Sequence, residues 1–259
     1  MKNLLDNMII GGIPEIRRID EWTALSEQKD IAFEYNDFFI PSCLNDETEY
    51  KRRVKIYQGL NRRPGRDTLH GAFFDIAVNS EDRLIRELCR RRCEESVVTA
   101  LSLNCRGVVF HTNYIVGFQS EPYRNDWVKK CAEFYHELAE RYPQIDILVE
   151  NMFDDSPNML GRLAAECRDL PNFGVCFDAS HAAVWNRPMK EWTDVLGRYV
   201  KHIHLNDSIP PADSHLPLGE GTMRFDFLKE KPFPIAESVL LEVQGIDNFR
   251  KSYEYLEKL

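Results

Sequence analysis

The chain has 259 residues, of which 43% are hydrophobic, so it is long enough to bury a large core. Its 33 basic and 42 acidic residues give a formal net charge of −9, which offers no overall attraction to nucleic-acid backbones or to anionic membranes. The seven cysteines form no CxxC pair, so neither a disulfide framework nor a zinc ribbon is indicated. We predict a soluble, cytoplasmic protein without a membrane partner, because segment 1–15 lacks the features of a signal peptide.

Eight short segments rich in β-branched and apolar residues alternate with longer, charged stretches of helical periodicity. This alternation is typical of parallel strands joined by helices. Eight such units without a linker or a repeat predict one domain over residues 1–259, an α/β protein with a single (β/α)8 TIM barrel. The predicted strands are Met8–Gly11, Ile31–Tyr35, Thr68–Ala72, Gly107–Thr112, Asp146–Asn151, Gly174–Asp178, His202–Asn206 and Val239–Val243.

Two of the connecting segments have a clear helical pattern. Asp82–Leu103 has periodic apolar residues, Leu84 and Leu88 among them, which are typical of a stripe that faces a core. Asp126–Arg141 has a similar apolar stripe. The segment Asp207–Thr222, after the seventh strand, contains proline, glycine and aspartate and is predicted to be a long loop.

Ionisable residues stand at or near the ends of predicted strands three to eight, where the loops of a barrel begin. Active sites of such barrels lie at the carboxyl ends of the strands, so we expect these side chains to meet at one mouth. Three of them are carboxylates, which would repel one another and raise their pKa values unless a cation lay between them. A mixed oxygen and nitrogen set suits Mn²⁺, Zn²⁺, Co²⁺ or Fe²⁺ better than a calcium cage. The residues are His70, His111, Glu150, Asp178, His204 and Glu242.

Two loops at the same mouth add further candidates. The sequence Asp-Ala-Ser-His places His181 immediately above the sixth strand, and Asp213 and His215 form an Asp-x-His pair that can chelate one ion. The alternative is that His181 and His215 are loop histidines that hydrogen-bond the substrate or the backbone. Both interpretations remain open at this point.

Two longer segments resemble signatures of the endonuclease IV family, which belongs to the xylose-isomerase-like TIM barrels. They are GVCFDASHA, residues 174–182, and HLNDSIPPADSHLPLGEG, residues 204–221. In that family nine residues hold three metal ions that hydrolyse a phosphodiester beside an abasic site. The resemblance therefore implies up to three ions here. The nine matching residues are His70, His111, Glu150, Asp178, His181, His204, Asp213, His215 and Glu242.

The chain also resembles the sugar isomerases, the ketose 3-epimerases and the sugar-phosphate isomerase/epimerase group of the same superfamily. These enzymes hold one ion with Glu, Asp, His and Glu, which Glu150, Asp178, His204 and Glu242 resemble. His181 resembles a histidine that contacts the substrate oxygen. In that chemistry the two glutamates exchange a proton at a substrate carbon. The resemblance thus implies catalytic roles for Glu150, Glu242 and His181.

The sequence departs from both groups at several positions. Ketose epimerases usually have a glutamate where this chain has Ser156 and an arginine where it has Pro210. The endonucleases usually have a lysine where this chain has Ile209. Basic residues that could grip DNA are few, and they could equally solvate a surface loop. They are Arg62, Arg63 and Arg66.

Two functional hypotheses follow. The leading one is a divalent-metal-dependent isomerase or epimerase that acts on a small-molecule carbohydrate with one bound ion. The alternative is an endonuclease IV-like phosphoesterase with up to three ions, an abasic-site endonuclease, for which nucleic acid would be the partner. The scarcity of DNA-gripping residues favours the carbohydrate. Association into a homo-oligomer is compatible with either.

Overall fold

The computed structural model describes residues 8–73, 75–118, 120–230 and 232–259. Eight strands pair in parallel in chain order and close into one barrel, with β1 beside β8, which confirms the predicted (β/α)8 fold. Residues 1–7 of the amino-terminal segment interpreted as lacking a signal peptide lie outside the described residues. The strands are β1 Ile9–Gly12, β2 Ala32–Tyr35, β3 Thr68–His70, β4 Gly107–His111, β5 Asp146–Glu150, β6 Phe173–Asp178, β7 Val200–Leu205 and β8 Ser238–Leu241.

All eight predicted strands are present, with small differences at their carboxyl ends. β3 ends at His70, two residues before the predicted end at Ala72. At Gly71 the chain passes so close to Phe110 that an added Cβ would lie 2.4 Å from the ring carbon Cε1. Glycine therefore lets the chain leave the sheet directly after His70. β8 ends at Leu241, so Glu242 is the first residue beyond its strand.

The helices surround the barrel and differ from prediction mainly at their starts. The fifth begins at Glu121, five residues before the predicted Asp126, because the Ser120 side chain caps it and Pro122 suits its first turn. Segment Asp207–Thr222, which is described in full, contains no helix, as predicted. The helices are α1 Ile19–Lys29, α2 Pro41–Leu44, α3 Glu47–Gln58, α4 Arg83–Ser102, α5 Glu121–Arg141, α6 Asn158–Glu166, α7 Ala179–Ala183, α8 Met189–Leu196 and α9 Ile246–Leu256.

Only part of the apolar pattern predicted for α4 faces the core. Leu84 and Leu88 are 64% and 56% exposed, so their expected place against the core is wrong. Val97, which belongs to the predicted apolar pattern, is buried, and Cys89 and Cys93 are buried with it. Residues spaced by four lie on one side of a helix, and only one such side can pack on the barrel. The small cysteine side chains allow close approach there, which leaves the leucines on another side.

The core lies between the helices and the strands. Trp22 of α1, for example, is fully buried and makes edge-on contacts with Phe33 of β2 and Phe249 of α9. Burial of aromatic side chains of this size contributes about 1.5–3 kcal/mol each. All seven cysteines are free and buried. Within the described ranges, no helix has the length and apolar character needed to cross a membrane.

Candidate metal centre

The register of the parallel strands brings candidate ligands side by side. His111 lies opposite Glu150, and Asp178 lies opposite His204. The second pairing depends on a shift of register between β6 and β7 at Val175 and Cys176. Without this shift, the inward-facing Asp178 would lie opposite Ile203 rather than His204. A local irregularity thus aligns two ligand-type side chains at the mouth.

The nine predicted site residues fall into three groups at the carboxyl end of the barrel. Within each group the potential ligand atoms all lie within 4.8 Å of one another. Glu150 is common to two groups, and a fourth combination, of Cys176 with His202 and His204, shares His204 with one of them. The three groups at the mouth are the first group of His70, His111 and Glu150; the central group of Glu150, Asp178, His204 and Glu242; and the third group of His181, Asp213 and His215.

The fully buried carboxylate of Glu150 faces a different set of histidines with each of its oxygens. Its Oε2 lies 3.2 Å from His111 Nε2 and 3.8 Å from His70 Nε2. Its Oε1 lies 3.4 Å from His204 Nδ1 and 3.3 Å from His181 Nδ1. This is the geometry of a carboxylate that can bridge two ion positions.

Backbone hydrogen bonds fix the orientation of three of the histidines. His70, His181 and His215 each place Nδ1 against a backbone carbonyl oxygen, at 3.1, 2.9 and 3.0 Å respectively. A carbonyl oxygen can only accept, so Nδ1 carries the proton in each ring. Nε2 is then the ring nitrogen that can bind a metal ion, and such orienting contacts are typical of histidine ligands.

Asp178 combines a structural role with an open coordination position. Its Oδ1 accepts a hydrogen bond of 2.6 Å from the backbone N–H of His181 and so caps the short helix α7. Asn151 holds the Asp178 backbone by two hydrogen bonds of 2.9 Å. Within the described part of the chain, Oδ2 has no hydrogen-bond partner. The cap therefore directs this free oxygen toward the central group.

The electrostatics of the central group fit a bound cation. Burial and the nearby carboxylates of Glu242 and Glu150 raise the pKa of Asp178 to about 8, although His181 opposes the shift. Buried polar atoms without a hydrogen bond are rare in proteins. Here both oxygens of Glu150, both ring nitrogens of His204 and one oxygen of Glu242 lack one among the described residues. A divalent ion would satisfy those of these atoms that face the central group, namely Glu150 Oε1, His204 Nδ1 and Glu242 Oε2, and would offset the repulsion.

The third group lies on loops and is more accessible. Asp213 Oδ2 is 2.9 Å from His215 Nε2 and 3.3 Å from His181 Nε2. The Ser180 hydroxyl donates to the other oxygen, Oδ1, at 2.8 Å, and so holds the carboxylate in place. Burial disfavours a charged His215, but the hydrogen bond that its ring donates to Asp213 and the charge of Glu242 raise its pKa to about 10. Asp213 and His215 both line the cavity at the mouth.

The mouth opens into a cavity of about 530 Å³ with a largely apolar wall that includes Phe39, Phe73 and Phe153. Neither lysine nor arginine is among its described lining residues. Arg62, which could have gripped DNA, pairs at 2.7 Å with Asp67, the residue before β3. That position is the amino end of the barrel, opposite the mouth. Arg63 and Arg66 pair with Asp30 just before β2, at the same end.

Four residues beside the site were not singled out from the sequence as its supports. Asn151 and Ser180 hold Asp178 and Asp213. Asp154 is buried, which raises its pKa to about 6. Glu34 is fully buried inside the barrel. A charged residue within an otherwise apolar strand was the signal that could have identified Glu34.

Fold and site together define a (β/α)8 barrel with a multi-ligand candidate metal centre at its mouth. The family model described as xylose isomerase-like TIM barrel matches residues 32–259, and the chain belongs to this family. An uncharacterised protein of Methanocaldococcus jannaschii is 28% identical over 207 residues, which are 73% of this chain and 68% of that protein. A probable endonuclease 4 of Mesomycoplasma hyopneumoniae is 24% identical over 168 residues, 56% of this chain and 59% of that protein.

Solved structures of similar fold include enzymes of different activity. A Thermus thermophilus protein soaked with ZnCl₂ is 22% identical, with a TM-score of 0.74 over 97% of this chain and 96% of that one. A D-tagatose 3-epimerase-like protein is 21% identical, with a TM-score of 0.73 and the same coverage of both chains. Endonuclease IV of Thermus thermophilus is 17% identical, with a TM-score of 0.64 over 97% of this chain and all of that one. At these identities the likeness concerns the fold.

Proposed function

We propose that the protein is a multinuclear metal-dependent phosphoesterase that acts on a small phosphate ester. The observation that carries this proposal is the position of Glu150. Its two oxygens face two different ligand groups, and a third group lies on the neighbouring loops. A site built for one ion would not need the second and third groups.

The same geometry weakens the role that an isomerase would require of Glu150. A proton-transfer base needs a carboxylate oxygen within hydrogen-bond reach of a substrate carbon. Both oxygens of Glu150 are buried among histidine nitrogens at 3.2–3.8 Å. Glu150 is not among the described residues that line the cavity. Glu150 is therefore better suited to hold ions at a fixed separation than to remove a proton.

Divalent ions, when bound, supply Lewis acidity toward a phosphoryl group. The residues of the chain determine where that acidity acts. Glu150 would join the first two positions, and Asp213 with His215 would hold a third position on the loop side. Phe73 and Phe153 line the cavity and exclude water from the reacting group.

The cavity also supports a small substrate rather than duplex DNA. A volume of about 530 Å³ is in the range of ordinary small-ligand sites. DNA-binding surfaces contact phosphates mainly through arginine and lysine, and the described lining has neither. The net charge of −9 would further repel a polyanion. We therefore place a single phosphate group with an apolar or uncharged remainder in this site.

A second candidate function is a metal-dependent isomerase or epimerase of a small sugar. It is favoured by the central group, in which Glu150, Asp178, His204 and Glu242 lie within 4.8 Å of one another. In this alternative Glu150 and Glu242 act as acid and base, and His181 contacts the substrate oxygen. The fold similarity to a D-tagatose 3-epimerase-like protein is compatible with it.

We also propose that residues 1–259 form one catalytic domain that works in the cytoplasm. The seven free, buried cysteines support a reducing compartment. Zn²⁺ is the natural first ion to test, because nitrogen and carboxylate donors suit it.

The metal content distinguishes the two functions directly. We expect protein titrated with ZnCl₂ to bind three ions per chain, one for each group, and to hydrolyse bis(4-nitrophenyl) phosphate or 4-nitrophenyl phosphate. Asp213→Asn is the matched control and should bind one ion fewer. A single ion per chain, with deuterium uptake from D₂O into a ketose, would overturn the phosphoesterase and support the isomerase. Cleavage of abasic duplex DNA in preference to the small esters would contradict the substrate class.

A further inference from the structure

One carboxylate lies inside the barrel, below the mouth and away from the cavity. Glu34 of β2 is fully buried. Its Oε2 accepts a hydrogen bond of 2.8 Å from the Thr68 hydroxyl and lies 3.3 Å from His202 Nε2. Its Oε1 lies 3.4 Å from His204 Nε2. A buried carboxylate is costly unless donors surround it, so this placement calls for N–H or O–H groups on each oxygen.

His204 differs from the other oriented histidines of the site. His70, His181 and His215 are held by backbone carbonyls, whereas neither ring nitrogen of His204 has a hydrogen-bond partner among the described residues. Its Nδ1 faces the central group, 3.1 Å from Glu242 Oε2. Its Nε2 points the opposite way, toward Glu34 Oε1 at 3.4 Å, and this oxygen also has no hydrogen-bond partner among the described residues.

We propose that Glu34 is a positioning residue that accepts the Nε2–H of His204 and so keeps Nδ1 unprotonated for the central ion. This inference rests on the proposed metal centre. A neutral imidazole has one proton, and a carboxylate can only accept, so the contact selects the form with the proton on Nε2. That form leaves the Nδ1 lone pair directed at the central group. Glu34 thereby does for His204 what backbone carbonyls do for the other three.

The surroundings of Glu34 hold it in this role. Thr68 of β3 fixes one oxygen, and His202 of β7 lies against the same oxygen. His202 is held in turn by a contact of 2.6 Å between its Nδ1 and the Ser238 hydroxyl. Since Oε2 is occupied by these neighbours, Oε1 is left for His204. Glu34 and the residues that hold it beneath the mouth therefore support one candidate ligand, His204.

Replacement by glutamine tests the role, because the volume is kept and the charge is removed. In Glu34→Gln, Thr68 would draw the amide oxygen to the place of Oε2 and turn the NH₂ group toward His204. This NH₂ is a donor, so it would favour the wrong form of the ring, with the proton on Nδ1. We expect zinc affinity at one of the ion positions to fall by about 10–100-fold, measured by competition with a chromophoric chelator and without turnover.

Two further variants separate positioning from stability. Glu34→Asp keeps the charge and should recover part of the lost zinc affinity. Thr68→Val removes a hydrogen bond to the same carboxylate but leaves the charge in place, so it should lower stability with little change in zinc affinity. If Glu34→Gln binds zinc within twofold of the wild type, Glu34 has only a structural role and the inference is wrong.

A measurement on the unmodified protein covers the case in which the variants fail to fold. The ¹⁵N chemical shifts of His204 in the zinc-loaded protein should show Nε2 protonated and Nδ1 bound to the metal. A proton on Nδ1 would overturn the inference. If the wild type binds no zinc, the proposed metal centre fails as well. If it binds zinc and Glu34→Gln binds it equally, only the role of Glu34 is lost.

Discussion

Glu150→Gln is the substitution that most directly tests how the centre is built. Glu150 is fully buried and belongs to two of the three ligand groups. Glutamine has nearly the same shape, but its NH₂ group cannot bind a metal ion. The remaining amide oxygen is uncharged and therefore a much weaker ligand, and it cannot serve both the His111 side and the His204 side, since the wild type uses a different oxygen for each.

The expected loss of zinc and of stability follows from how the candidate ligands are grouped. The group of His181, Asp213 and His215 does not include Glu150, so we expect zinc bound per chain to fall from three ions to one. An ion that binds only the folded state contributes about 2.7 kcal/mol of stability when its free concentration is 100 times its Kd. The loss of two ions should then remove about 5 kcal/mol of zinc-dependent stability. Phosphoesterase activity should fall to background.

The assay is elemental analysis of zinc-loaded protein, together with urea unfolding at fixed free zinc and in chelator. Glu242→Gln is the matched control, because Glu242 belongs to one group only and its loss should cost one ion. In chelator, Glu150→Gln should unfold as a native barrel does, since the substitution preserves volume. If it loses no more zinc than Glu242→Gln, Glu150 does not bridge and the reasoning is refuted.

Three further predictions concern the surroundings of the site. In metal-free protein the raised pKa of Asp178 favours its protonated form, so its contribution to stability is complete below about pH 4 and is lost as the pH rises toward about 8. Between about pH 4 and about pH 8, Asp178→Asn should therefore lose less stability than the wild type. The measurement is urea unfolding in chelator, and an equal loss of stability in both proteins would contradict the raised pKa. Arg62→Ala removes the ion pair of the buried Asp67 and should cost about 3 kcal/mol of stability in urea unfolding. The zinc content should stay unchanged, because this pair lies at the end of the barrel opposite the mouth. A fall in zinc content would show that the amino end of the barrel supports the metal centre. Gly71→Ala would force a Cβ to within 2.4 Å of Phe110 and should cost about 1–3 kcal/mol in thermal unfolding, and wild-type stability would show that the ring moves freely.

The strands could be predicted because they depend on local pattern, and the same pattern pointed to the candidate ligands. Apolar runs separated by charged helical stretches identified all eight strands. The chemistry at their carboxyl ends then pointed to one mouth, since parallel strands of a barrel end on the same side. Glu150 and Asp178 are the last residues of their strands, as this argument requires.

Other features could not be predicted because they depend on how distant segments meet. The buried side of α4 was predicted only in part, because periodicity identifies apolar positions but not which of them contact the barrel. Arg62 and its neighbours looked equally suited to a DNA-facing loop until the structure placed them beside Asp67 and Asp30, at the end opposite the mouth. Their segment connects α3 to β3, and a helix-to-strand connection lies at the end opposite the mouth, but no helix had been assigned before Thr68 from the sequence to show this.

The sequence by itself determined the barrel, its eight strands and the nine candidate ligands, because each of these follows from residue type and local periodicity. The tertiary structure decided how the nine are divided. The register shift at Val175 sets Asp178 beside His204, the two oxygens of Glu150 face separate groups, and Glu34 reaches His204 from β2. These contacts join residues far apart in the chain, and their distances arise only when the barrel closes.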